Sequence, residues 1–166
     1  MDNFESQFVE KITTCPVDDL IAQLAIASRV DQRVYLLSES FYSIELLFCG
    51  NDGSCCIIHM IYGSPTETIS ESMVVYAIDR LSSIRKNLQN QTFKPNEQFS
   101  KIYTLLLLQP IHTPSPRLQR WIGEKIDGFR CGIPIELPTE RGSEGSYLKE
   151  VLHINIEENF SLDMDC

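Results

Sequence analysis

Residues able to ligate a metal or act as nucleophiles crowd into one stretch of the chain: Cys49, Cys55, Cys56 and His59. Three thiolates and an imidazole could hold zinc tetrahedrally. Cys55 and Cys56 are adjacent, however, and adjacent side chains in a strand face opposite sides. The spacing also contains no CxxC pair. These residues read as small apolar fillers of a reduced core, with no metal site and no cofactor expected.

A cysteine nucleophile would need a histidine base within hydrogen-bond reach and a partly exposed, electropositive setting. Cys131, which follows Arg130 and precedes Gly132, is the best thiol for that role, and His112 is the histidine before the same helix. Their spacing does not require them to meet. His112-Thr113-Pro114-Ser115 places a histidine beside hydroxyls, as phosphoester chemistry would want. A second acid or base is also needed, and neither His59 nor His153 is followed by a matching hydroxyl residue. The phosphate-cradling patterns GxxxxGK[ST] and GxGxxG are absent. No catalytic residue is assigned, and a cysteine- or histidine-dependent enzyme is the third of three functional readings.

Charge gives the stronger signal. The net charge is −9, yet nine Lys/Arg face three Asp/Glu between Arg80 and Arg130, and two face seven from Leu137 to Cys166. Arg117, Arg120 and Lys125 share a helix with Trp121, so they are candidate partner-binding residues. A cationic helix with an aromatic could dock an acidic protein or track phosphates. Phe160, Leu162 and Met164, set among acids, are the second candidate set, since such a segment can order on a basic partner. Val151-Leu152-His153-Ile154 followed by Glu157 and Glu158 resembles a SUMO-interacting motif, which implies recognition by strand addition. A native strand accounts for the same alternation.

The elements that must position these residues follow from periodicity. Phe4, Phe8 and Ile12 predict a short first helix. Pro16, Asp18 and Asp19 open a second, which ends near Arg29. Arg33–Glu39 reads as a strand. Gly50-Asn51-Asp52-Gly53 joins two apolar runs, so 41–62 reads as a β-hairpin, apolar on both faces and set mid-sheet under helices. Ser64-Pro65-Thr66-Glu67 is a capping box opening a helix to about Asn90, with Ile69, Met73, Tyr76, Ala77, Leu81, Ile84 and Leu88 as its apolar stripe. Ile102–Gln109 is a buried strand. Ser115-Pro116 opens the cationic helix, whose stripe of Leu118, Trp121, Ile122, Ile126 and Phe129 runs to a stop at Gly128.

The expected fold is α+β, a single domain whose mainly antiparallel sheet is built on the central hairpin and covered by helices. The globular core is 1–137, with a mobile loop at 138–147, a terminal strand returning at 148–156 and an acidic tail at 157–166. The length suits one domain. The start carries no basic, apolar leader, and the longest purely aliphatic run is Leu105–Leu108, too short to span a bilayer. Nuclear or cytoplasmic residence without membrane insertion is expected. The leading functional reading is a non-catalytic protein-binding subunit or adaptor of a larger complex. The alternative is an accessory subunit of a nucleic-acid-processing complex that contacts phosphate through residues 80–130.

Overall fold

The computed structural model describes residues 4–29, 33–40, 43–50, 53–61, 70–90, 101–109 and 115–133. Helix α1 (Phe4–Thr14) is followed by a 3₁₀ turn, Val17–Asp19, and α2 (Leu20–Arg29). Pro16 precedes that turn and Asp18 and Asp19 lie in it, where negative charge suits the oncoming helix dipole. Strands β1 (Arg33–Glu39), β2 (Ser43–Cys49) and β3 (Ser54–Ile61) form an antiparallel meander. Gly53 sits at a φ of 87°, a left-handed conformation that side chains disfavour, and Gly50 N–H donates to the Ser54 carbonyl at 3.0 Å. The predicted hairpin is therefore present, and both its strands are buried almost throughout.

The sheet departs from expectation beyond β3. Helix α3 (Glu71–Asn90) leads to β4 (Lys101–Leu108), and α4 (Pro116–Lys125) leads to β5 (Gly128–Arg130). Strand order is β1-β2-β3-β4-β5, with β3–β4 and β4–β5 both parallel. The sheet is thus mixed, not mainly antiparallel. The physical reason is the connection length. A tight turn reverses the chain, whereas a helix that runs back along the sheet returns it to its starting end and makes the next strand parallel.

Two helical layers sandwich this sheet. Phe8, Ile12, Leu20 and Leu24 from α1 and α2 pack on Val34, Ile44, Leu46, Phe48, Cys56, Ile58, Met60, Leu105 and Leu107. On the opposite face Val74, Ala77, Ile78, Leu81, Ile84 and Leu88 of α3 and Ile122 of α4 pack on Leu47, Cys49, Cys55, Ile57, Ile61, Leu106 and Leu108. Neighbours along one strand alternate between the two cores, as the period of two demands.

Strand β5 went unpredicted. Residues 128–130 read as the end of the cationic helix, but α4 stops at Lys125, and Phe129 lies on the strand. Asp127 stops it: its carboxylate accepts from Thr104 N–H at 2.8 Å and Thr104 Oγ1 at 3.1 Å, while its own N–H donates to the Thr104 carbonyl at 3.0 Å. These bonds clip β5 to β4. Gly128 serves close approach, because a Cβ there would lie 2.7 Å from Thr13 Cγ2 and 2.9 Å from Leu105 Cδ2. The predicted loop at 138–147, strand at 148–156 and tail at 157–166 lie outside the described residues, as does the capping box at 64–67.

Candidate functional site

Three polar side chains meet between β2, β3 and α3. Glu45 and His59 are directly opposed across the hairpin, and both point towards α3, as Leu47 and Ile57 two residues along do. His59 Nδ1 lies 3.0 Å from Glu45 Oε2. Arg80 of α3 donates through Nε to Oε2 at 3.0 Å and through Nη2 to Oε1 at 2.6 Å, the planar fork that suits a carboxylate. The side chains of Glu45 and His59 are each 3% exposed and that of Arg80 27%.

Burial works against ionisation of Glu45, but the hydrogen bonds and charges of His59 and Arg80 outweigh it and hold the carboxyl below its ordinary range. An ionised carboxylate only accepts, so Nδ1 of His59 carries the hydrogen and the tautomer is set. The remaining ring nitrogen, Nε2, is the one available to an adjoining cavity of about 220 Å³, lined by Ser43, His59, Ile61, Ser72, Met73 and Tyr76. Ser72, Tyr76 and Arg80 recur every fourth residue on α3, which puts them in one row above His59.

A second cleft lies on the other side of α3. Glu71 and Val75 face Ser115, Arg117, Leu118 and Trp121 of α4 across a groove of about 400 Å³. Helix α4 begins as predicted, with Pro116 in its first turn and the Ser115 hydroxyl accepting from Leu118 N–H at 3.3 Å. Arg117, Arg120 and Lys125 are exposed and Trp121 is half-buried on the groove wall. The four candidates on this helix therefore share one element, and Arg117 and Trp121 share one cleft. Tyr76, expected in the α3 core stripe, is instead 61% exposed and lines the first of the two clefts. Phe160, Leu162, Met164, His112 and His153 lie outside the described residues.

The thiols divide as strand geometry requires. Cys49 and Cys55 pair across the hairpin on the α3 face, and Cys56 faces α1 and α2. Among the described residues no group of three or more His, Cys, Asp or Glu is placed to hold a metal ion. Cys131 is half-buried, and burial pushes its thiol up to about 11, the opposite of what a nucleophile needs. Arg130 does not offset this. Its Nη1 donates to the Ile12 and Cys15 carbonyls at 2.9 and 2.6 Å, closing the C-terminal end of α1. No helix of the described residues is long and apolar enough to cross a membrane.

Glu45 and Arg80 escaped the sequence reading. A glutamate inside Ser-Ile-Glu-Leu-Leu-Phe looks like an exposed position of a half-buried strand, and Arg80 like part of the polar face of α3. The available signal was an acid on a strand otherwise apolar on both faces, since such an acid must find a partner. No protein-family model, curated protein or solved structure matches the chain.

Proposed function

We propose that the chain is a non-catalytic docking subunit of a larger nuclear or cytoplasmic assembly, and that it receives an acidic, apolar-anchored segment of a protein partner in the α3–α4 groove. The groove itself carries this reading. Leu118, Val75 and Trp121 supply apolar wall, Arg117 sits at the edge, and Arg120 and Lys125 extend the cationic surface along α4. Tryptophan, tyrosine and arginine are the residues that dominate binding energy at protein interfaces. Cations on one exposed helix favour an acidic counterpart and speed its approach. Glu71 on the facing wall makes the groove unsuited to a run of phosphates, which favours a peptide over a nucleic-acid backbone.

Affinity capture of the tagged protein, followed by reconstitution of each stoichiometric partner from purified components, tests the reading. Trp121→Ala should weaken the reconstituted complex by about 30-fold, the equivalent of a ~2 kcal/mol hot spot. Arg117→Glu should slow association and reduce its salt sensitivity. A reconstituted complex indifferent to both substitutions would overturn the placement. Binding of oligonucleotides with a steep salt dependence and no protein partner would replace the reading with the nucleic-acid one.

A further inference from the structure

We infer that the cavity beside His59 is a binding site for a small, neutral, hydroxylated molecule of the polyol or sugar class. This does not depend on the docking groove. The inference starts from His59, whose side chain is 3% exposed and whose Nδ1 is committed to Glu45. Its Nε2 has no hydrogen-bond partner among the described residues, while the ring lines the cavity. That nitrogen is left free to bond a hydroxyl of a molecule held in the cavity.

The lining selects the class. Its polar members among the described residues are an imidazole and the hydroxyls of Ser43, Ser72 and Tyr76, every one able to donate or accept; Ser43 and Ser72 each share one such bond, with the hydroxyls of Ser40 and Ser70 respectively. A hydroxylated ligand, which also does both, satisfies such a set in several arrangements. An ionic ligand would find no counter-charge among the described residues of the lining. Arg80 turns its fork on Glu45, and that carboxylate is answered by Arg80 and His59 together. The start of α3, which would favour an anion, already carries Glu71 in its first turn, and the Ser70 hydroxyl accepts from Met73 N–H at 3.3 Å. Ile61, Met73 and the Tyr76 ring add apolar surface for the C–H face of a polyol. The volume, about 220 Å³, lies below the ~300–1,000 Å³ of pockets for drug-sized ligands, which limits the occupant to the scale between glycerol and one sugar ring.

The test is a titration of the full chain with myo-inositol, glycerol and methyl glucoside, read on the ring carbon–proton NMR signals of His59. Inorganic phosphate and acetate are titrated in parallel. A saturable shift of the His59 signal with at least one polyol, in the range of about 1–10 mM, is expected. Ser72→Ala, on an exposed position that leaves the core intact, should weaken it about tenfold, the scale of one lost hydrogen bond. His59→Gln should abolish it, whereas Trp121→Ala should leave it unchanged. No polyol shift at about 100 mM, a shift with phosphate or acetate alone, or equal binding in Ser72→Ala would each overturn the inference. Loss of partner binding in Trp121→Ala with polyol binding retained would separate this site from the docking groove.

Discussion

The two faces of one sheet are built on different chemistry. Towards α1 and α2 the sheet presents Val34, Ile44, Leu46, Phe48, Ile58, Met60, Leu105 and Leu107, and the rings of Phe8 and Phe48 stack with centroids 5.1 Å apart. Towards α3 the same strands bury Glu45 and His59 beside Leu47 and Ile57, and two clefts open along the first half of the helix. The first face is a seal. The second combines a core with a buried charge network and accessible concave surface. A buried ion pair is a poor source of net stability, because its desolvation cost offsets most of its attraction. The face that could have been all hydrocarbon instead carries three polar groups, and that is where binding is to be sought.

Stability measurements sharpen the contrast. The largest effect is expected on the sealed face, where Phe48→Ala should cost about 4 kcal/mol in denaturant unfolding. On the α3 face Arg80→Met should cost about 3 kcal/mol, because it leaves the Glu45 charge buried with His59 as its remaining partner. Replacing the network as a whole, with Glu45→Leu and His59→Leu added to Arg80→Met, should recover most of that loss and abolish polyol binding. Failure to recover would show that the network holds the fold together and is not there chiefly for the cavity.

Acid unfolding separates the faces in another way. The carboxyl of Glu45 lies below its ordinary value of 4.5 in the folded chain. Its contribution is therefore fully present above that value and is lost as pH falls below it towards the lowered one. Glu45→Gln should remove this part of the acid limb, while Leu46→Ala, on the sealed face, should lower the whole curve and keep its shape. The smallest effect, about 1 kcal/mol, is expected for Gly128→Ala, which presses a methyl group against Thr13 and Leu105. Equal stability of that variant would mean that α1 and β5 can separate slightly without loss.

Much of the architecture was legible because it is local. Apolar residues repeating every three to four positions marked α1, α2, the body of α3 and the start of α4. Turn chemistry at Gly50–Gly53 marked the hairpin, and Ser115-Pro116 marked a helix start. The separation of Cys55 from Cys56 followed from strand geometry alone. Phe129 failed for an instructive reason. Its spacing continued the α4 stripe, but the Asp127–Thr104 bonds, made across 23 residues, ended the helix first. Tyr76 likewise fits the α3 stripe by spacing, but the layer beneath is narrower than the stripe and leaves it 61% exposed.

The sequence by itself determined the four helices and the strands β1 to β4, that β2 and β3 pair as a hairpin, and that the cations of α4 lie on one element. Periodicity, proline, glycine and capping residues act within a few positions, so they can be read in order along the chain. Only the tertiary structure decided that β4 and β5 run parallel to β3, that Glu45 meets His59 and Arg80, and that α3 stands between two clefts. Those outcomes depend on where a crossover helix returns the chain and on which side chains, 14 and 35 residues apart, reach one another through a shared layer. No local pattern encodes that distance.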